Sequence, residues 1–172
     1  QRGAHSPLHE GPVGWPGAAR RNSGMGGDGQ AMTRDEIERR ILGTWQLAET
    51  FGEELATGRR VAQFGTAPDG RITYTPEHRM MALVTAGGSG GARSPSEAER
   101  ARLHGSMVAY AGRWEALDGA VRHHLEVFWQ PATVGDVFLR NVRFEGADRL
   151  VLTSPPGPSA VDGVESVVTI VW

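Results

Sequence analysis

The sequence predicts an all-β fold: a closed antiparallel up-and-down barrel of about 8–10 strands, with a short N-terminal helix and one inserted helix. Short runs of alternating apolar and polar residues follow one another from residue 44 to the end of the chain. Turn-forming sequences separate these runs, most clearly Pro68–Gly70 and Asp118–Gly119. Because a meander of short strands leaves exposed edges unless it closes, this pattern favours a barrel.

The chain begins with a segment of different composition. Residues 1–31 are rich in glycine and proline and lack a periodic apolar pattern, so they cannot bury enough surface to offset their ordering entropy. We expect a flexible or extraneous N-terminal segment there, followed by one barrel domain over residues 32–172. The alternative is an arm that docks through Trp15 onto its own barrel or a neighbouring one.

Two segments carry helix-start signals. Thr33 and Glu36 form a capping-box pattern, which predicts a short helix that ends at Gly43 and flanks one end of the barrel. Ser94, followed by proline and by glutamate three residues on, predicts an inserted helix over about 95–109, with Leu103 and Met107 facing inward. The glycine-rich stretch 86–91 before it predicts a mobile lid over the barrel mouth.

The strands follow from the alternation and from the turns between them. The predicted strands are 44–51, 59–64, 71–75, 79–84, 112–116, 121–130, 136–144, 148–153 and 164–172.

Composition excludes several classes of protein. A length of 172 residues with 39% apolar residues suits one domain with one core, and a net charge of −2 gives no footprint for nucleic acid. Without cysteine, the chain has no disulfide, thiolate metal site or thiol nucleophile. No apolar run reaches the roughly 18 residues that a membrane helix needs, and the N-terminus lacks a signal-peptide core. We therefore expect a cytoplasmic protein.

An ordered series of short motifs carries a family resemblance. The motifs are Gly43-Thr44-Trp45, Ile72–Pro76, Arg79-Met80, Tyr110–Glu115, His123–Val127, Pro131, Gly135, Arg140, Gly146–Leu150 and Val171-Trp172. With these motifs the chain resembles the lipocalin-like domain family, small stand-alone calycin-type barrels. The resemblance implies a cavity for an apolar or amphipathic small molecule. We expect no cofactor. Trp114 departs from the pattern, since a tyrosine is expected there.

Strand alternation predicts which side chains face the cavity. In 121–130 the mostly apolar face places His123 inward and His124 outward, and in 136–144 Arg140 shares the inner face with Phe138. Tyr74 faces inward with Ile72. We expect Tyr110 at the junction between the inserted helix and the next strand, facing the mouth. The inner face of 121–130 then comprises Val121, His123, Leu125, Val127 and Trp129.

These polar side chains suggest a chemistry. Arg140 is a candidate anchor for a carboxylate, enolate or carbonyl, because its planar guanidinium suits two-point recognition. His123 is a candidate general acid or base or hydrogen-bond donor, and Tyr74 is the third candidate catalytic residue, orienting the ligand. The candidate ligand-binding residues are Tyr110, Trp114, Met81, Leu125, Trp129 and Phe138.

Structural alternatives stand beside these roles. Arg140 can instead pack over Trp45 at the closed end of the barrel, and His123 can be a core histidine with satisfied hydrogen bonds. His124 and Glu126 share a face, but two ligands are too few to predict a zinc site, so we expect no metal. The glycine-rich loop lacks the ending of a phosphate-binding loop.

Three functions remain open. The first is a barrel that binds a hydrophobic or amphipathic small molecule, for example a polyketide-like one. The second is a cofactor-free cyclase or isomerase of secondary metabolism that acts on such a ligand in the same cavity. The third is an interaction module with a filled barrel, with helix 95–109 as its partner surface. We expect no nucleic-acid or membrane partner, and self-association into a homodimer is a further hypothesis.

Overall fold

A computed structural model describes residues 31–87, 94–159 and 163–172. The N-terminal segment 1–30 and most of the glycine-rich stretch 86–91 lie outside the described residues, and so do the predictions made for them. The described part forms two α-helices and eleven β-strands. These are α1 (Arg34–Arg40), β1 (Gly43–Gln46), β2 (Glu49–Glu54), β3 (Arg60–Ala62), β4 (Asp69–Tyr74), β5 (Arg79–Thr85), α2 (Glu97–Gly105), β6 (Met107–Leu117), β7 (Ala120–Phe128), β8 (Val137–Glu145), β9 (Arg149–Thr153), β10 (Gly157–Pro158) and β11 (Glu165–Val171).

All of these strands belong to one antiparallel sheet that curls into a half-barrel. The strand order is β1-β4-β5-β6-β7-β8-β9-β11-β2-β3, and β10 pairs with β11. The all-β prediction is confirmed, with both helices in their predicted order. Inward-facing positions of the central strands form one hydrophobic core, which Ile72, Trp114, Val121, Leu150 and Trp172 represent.

The first predicted strand is divided in two by a bend. β1 pairs with β4 and β2 pairs with β11, so the two halves lie against different neighbours. At the bend, the backbone N–H of Leu47 donates to the carbonyl of Gly70 at 3.0 Å. The next N–H, that of Ala48, donates to the carbonyl of Val171 at 2.8 Å. The bend therefore costs no backbone hydrogen bond at these two residues.

Helix α1 covers one end of the barrel, called the closed end below. The Thr33 side chain accepts a hydrogen bond from the backbone N–H of Glu36, as the capping pattern predicts. Ile37 and Ile41 are fully buried against the core. The helix is tied to the β6–β7 hairpin, because the N–H of Gly119 donates to the carbonyl of Met32 at 2.8 Å.

The inserted helix is shorter than predicted. α2 starts after Ser96, whose side chain and that of Glu99 form a reciprocal capping box, and it ends at Gly105. The prediction of a helix to residue 109 with inward-facing Leu103 and Met107 was wrong. α2 buries none of its residues, and Met107 starts β6. Tyr110 consequently lies within β6 and not at a helix–strand junction.

A β-bulge changes the alternation of β7. The register between β6 and β7 shifts between Ala111 and Gly112, so that Gly112 faces Leu125 while Ala111 faces Val127. A Cβ on Gly112 would lie 1.9 Å from the carbonyl oxygen of His124, so the close approach requires glycine. Beyond the bulge Phe128 packs against the core and Val127 is 62% exposed. The prediction that Val127 and Trp129 face inward was wrong for this reason.

Met81 lies on the outer face of the sheet. Its neighbours Met80 and Ala82 in β5 are buried, whereas Met81 is 62% exposed, as strict alternation requires. The prediction of Met81 as a residue lining the cavity is therefore wrong.

Candidate functional site

Four polar side chains from four strands converge on the inner face of the barrel. Tyr74 ends β4, Tyr110 lies in β6, His123 in β7 and Arg140 in β8. Strand pairing brings them together, since β6 pairs with β7 and β7 pairs with β8, where His123 lies opposite Phe138. Their side chains share the buried face because each occupies an inward position of its strand. We call these four residues the polar cluster.

His123 stands at the centre of the polar cluster. It is fully buried, and both ring nitrogens lie against tyrosine hydroxyls: Nε2 is 2.8 Å from that of Tyr74, and Nδ1 is 3.3 Å from that of Tyr110. Burial, the Arg140 guanidinium and His124 lower the pKa of His123 to about 3. The imidazole is therefore neutral at physiological pH.

A neutral imidazole fixes the direction of these two hydrogen bonds. It carries one N–H donor and one acceptor nitrogen, so one tyrosine donates to the ring and the other accepts from it. The accepting tyrosine keeps its own O–H, which can donate to a further group. Burial raises the pKa of Tyr74 well above its usual range and also raises the pKa of Tyr110, so both phenols stay protonated. The cluster thus has one tyrosine O–H that does not donate to the imidazole and can donate to a bound molecule.

Arg140 supplies the positive charge of the cluster. Its side chain is half-buried, its Nη1 donates to the carbonyl of Leu139 at 2.9 Å, and its Cζ lies 4.8 Å from the ring centroid of Phe138. Within the described ranges no carboxylate forms an ion pair with it. Burial lowers the pKa of the guanidinium, and the two tyrosines of the cluster counteract that effect only in part. Arg140 thus has several unused donors facing the interior.

A different arginine occupies the closed end. Arg40 of α1 places its Cζ 4.3 Å from the ring centroid of Phe144, which packs against Trp45 with 5.9 Å between centroids. Arg40 also donates to the carbonyl of Gly146 at 2.6 Å and pairs with Glu36 at 3.4 Å. The closed-end role that was the alternative for Arg140 is thus filled by Arg40, which sequence reasoning missed. The signal was its position one helical turn after Glu36.

Aromatic rings surround the polar cluster. Tyr110 stacks on Phe128 at 5.9 Å and meets Phe138 edge-on at 5.6 Å. Trp114 packs edge-on against Tyr74 at 5.6 Å, and its Nε1 donates to the carbonyl of Thr75. This wall offers flat apolar contact area beside a cation and hydroxyl donors.

The structure brings most of the predicted site residues together. Tyr74, Tyr110, His123 and Arg140 form the cluster, and Trp114, Leu125 and Phe138 line the adjacent inner face. Trp129 does not join them: its ring lies 4.2 Å from that of His104 in α2. Phe128 takes the place predicted for Trp129. The isolated glycine at 112 is the sequence signal for the bulge, and it is this bulge that turns Phe128 inward in place of Trp129.

Other features of the described residues lie apart from the cluster. A pocket of about 330 Å³ lies between β2, β3 and the loop before β4, and none of the residues that line it belongs to the cluster. Across the described ranges there is no group of three histidine and acidic side chains arranged to hold a metal. Neither described helix is long and apolar enough to span a membrane.

Comparison with protein families gives a match over most of the chain. Residues 42–172 match the family model of the lipocalin-like domain. Comparisons with curated proteins and with solved structures give no significant match. The matched range starts one residue before β1 and includes the whole polar cluster.

Proposed function

We propose that this chain, which belongs to the lipocalin-like domain family, binds a small amphipathic molecule against the inner face of its barrel. The ligand has an aromatic or polyketide-like apolar body and one anionic or carbonyl oxygen. The observation that carries this proposal is the Arg140 guanidinium, which is partly desolvated yet has no acidic partner among the described residues.

The proposal includes closure of the barrel. β1 and β2 are successive parts of one chain, and they pair with β4 and β11 respectively. The two residues between them, Leu47 and Ala48, bond to Gly70 and Val171 on opposite flanks. We infer that this bent segment joins the two sides of the sheet into a ring, which encloses the polar cluster.

The energetics favour a ligand oxygen at Arg140. A desolvated cation without a counter-charge destabilises the folded protein, and proteins usually retain such groups where they are used. A carboxylate offers the planar, two-point acceptor that a guanidinium matches best. The tyrosine O–H that does not donate to the imidazole would donate to the same oxygen or to a neighbouring one. The aromatic rings of Phe128 and Phe138 would contact the apolar body.

The state of His123 favours binding over histidine-based catalysis. A general acid or base works best when its pKa is near the working pH. With a pKa lowered to about 3, the His123 ring is a poor proton carrier at neutral pH. Both nitrogens are also engaged by tyrosines. His123 therefore serves best as the part that orients Tyr74 and Tyr110.

A cofactor-free cyclase or isomerase is the second candidate. The specific observation in its favour is that the Arg140 cation lies close enough to both tyrosine hydroxyls of the cluster to interact with them electrostatically. Such a pair polarises a ligand carbonyl and stabilises an enolate as charge develops. In that case Arg140 and the tyrosines would act on the reacting oxygen, and the cavity would fold the ligand.

Titration calorimetry with 2-naphthoate tests the binding proposal. We expect 2-naphthoate to bind, and the uncharged 2-methylnaphthalene to bind at least 10-fold more weakly, because only the carboxylate engages Arg140. Arg140→Met should weaken 2-naphthoate at least 10-fold, about 1.4 kcal/mol. Arg143→Met is the matched control, since Arg143 lies on the outer face of the same strand.

Two results would reject this assignment. One is equal affinity of the wild type for the charged and the uncharged probe. The other is equal loss of affinity in the Arg140 and Arg143 variants. Turnover of a ligand that the protein binds, with loss of product formation in Arg140→Met, would favour the second candidate over a binding role alone.

A further inference from the structure

We propose that Gln63 is a second, specificity-determining contact for the ligand, so that the bound molecule carries two polar groups on either side of an apolar body. The inference rests on the proposed function, because it concerns the same interior. It starts from polar groups on and above the inner face of β2 whose hydrogen-bonding capacity is not fully used within the described residues.

Strand register assigns the inner face of β2. Thr50 lies opposite Ile170 of β11, and Ile170 lies opposite Leu152 of β9, a buried core residue. Gly52 shares the face of Thr50 because residues two apart in a strand point the same way. Thr50 and Gly52 therefore face the interior that contains the polar cluster.

Gln63 lies over Gly52 on that inner side. A Cβ on Gly52 would lie 2.8 Å from Nε2 of Gln63, so the glycine leaves the space that the amide occupies. Gln63 is only 3% exposed. The next residue, Phe64, has a φ of +60°, a conformation that a bulky residue rarely adopts. The chain thus makes an unfavourable turn directly after placing a polar side chain inside.

The amide of Gln63 is only half satisfied. Its Oε1 accepts a long hydrogen bond from the Ser159 hydroxyl at 3.4 Å. Its Nε2 donates to no acceptor within the described residues. Nearby, the Thr50 hydroxyl is buried and likewise lacks a partner in the described part of the chain. Glu54, the next inward residue of β2 after Gly52, differs, because Arg59 and Thr57 both bind its carboxylate. The buried Thr50 hydroxyl is costly without a partner unless a bound group supplies one, and the Gln63 amide beside it can donate to the same bound group.

The two polar positions lie apart on the same wall. β8, which carries Arg140, and β2 are separated in the sheet by β9 and β11. Three strand spacings correspond to about 14 Å along the wall. Apolar residues such as Leu152 and Ile170 lie between them. The matching ligand has an anionic or carbonyl oxygen at Arg140 and a hydroxyl or carbonyl oxygen for Gln63 at the far end of its apolar body.

Calorimetry with 2-naphthoate and 6-hydroxy-2-naphthoate separates the two contacts. These probes differ only in a hydroxyl at the end opposite the carboxylate. We expect the wild type to prefer the hydroxylated probe about 10-fold, the effect of one hydrogen bond. Gln63→Leu should abolish that preference and change the affinity for 2-naphthoate less than 2-fold. Gln46→Leu, on an exposed strand position, is the matched control.

A second variant guards against a structural effect. Gly52→Ala displaces the amide through its added methyl group, so it should also abolish the preference while Gln63 itself is retained. Equal wild-type affinity for the two probes, with both weakened by Arg140→Met, would overturn the second contact and leave the proposed function intact. Equal weakening of both probes by Gln63→Leu would also overturn it. Binding of neither probe to the wild type would overturn both proposals.

Discussion

Two arginines in this barrel lie against aromatic rings, and their surroundings are opposite. Arg40, at the closed end, covers Phe144, donates to the carbonyl of Gly146 and pairs with Glu36. Arg140, in the polar cluster, lies beside Phe138, and among the described residues it bonds only the carbonyl of its own neighbour, Leu139.

The difference indicates that Arg40 stabilises the fold, whereas Arg140 is available to bind a ligand. Arg40 has a partner for each kind of interaction that a guanidinium makes: charge, hydrogen bond and ring contact. Arg140 has a ring and one carbonyl, but no carboxylate in the described part of the chain. The closed end should therefore determine stability, and the polar cluster should determine affinity. Substitutions in the two regions should therefore separate stability from affinity.

The largest effect on stability is expected at the closed end. Ile37→Ala removes a fully buried side chain of α1 and should lower the free energy of unfolding by about 3 kcal/mol. Affinity for 2-naphthoate should change less than 2-fold, because Ile37 is not part of the polar cluster. Urea denaturation and calorimetry measure the two quantities. A loss of affinity for 2-naphthoate well above 2-fold in this variant would contradict the separation of the two regions.

Acid should destabilise the protein through His123. Its pKa is about 3 in the folded state, against about 6.5 when unfolded, so the unfolded state takes up a proton first as the pH falls. Stability is fully present above pH 6.5 and is lost between pH 6.5 and 3, by about 2 kcal/mol at pH 5. His123→Gln removes this contribution to the pH slope. Identical slopes in wild type and variant would show that the ring is accessible to protons.

Arg40→Met should lower the free energy of unfolding by about 1 kcal/mol. The variant loses the hydrogen bond to Gly146, the ion pair with Glu36 and the cation–π contact with Phe144, each partly exposed to water. Binding of 2-naphthoate should be unchanged within error. Chemical denaturation of the variant beside Arg39→Met, on the exposed side of the same helix, measures the difference.

The smallest effect on stability is expected for Arg140→Met. Replacing a desolvated cation that lacks a counter-charge by an apolar side chain should leave the free energy of unfolding unchanged or raise it by up to about 1 kcal/mol. The change is thus zero or of opposite sign to that of Arg40→Met. A loss of stability of 2 kcal/mol or more would mean that Arg140 has a structural role.

The sequence was sufficient for the all-β, antiparallel class and for the centre of the polar cluster, but the described residues form eleven strands and not the predicted 8–10. His123, Arg140 and Tyr74 lie in regular strand stretches, where alternation alone assigns the inner face. Alternation fails beyond a bulge. The bulge at Gly112 places Phe128 on the inner face, where alternation predicted Trp129. The end of the inserted helix was also misplaced, because residues 107–109 have no strong preference between helix and strand. Pairing with a neighbouring strand therefore made these residues part of β6 and not of the helix.

Side-chain partners could not be predicted in the same way. No local pattern distinguishes Arg40 from Arg140, since their surroundings depend on which distant strands and turns meet them. The Tyr–His–Tyr chain likewise joins residues from three strands. Gln63 lies inside the predicted strand 59–64, and only the tertiary contact over Gly52 reveals that its side chain is buried.

A crystal structure of the protein with bound 2-naphthoate tests the central claim most directly. The account predicts a carboxylate oxygen within hydrogen-bonding distance of the Arg140 guanidinium, with the naphthalene rings against Phe128 and Phe138. A ligand bound instead in the pocket between β2 and β3, with Arg140 still bonded only to Leu139, would contradict it.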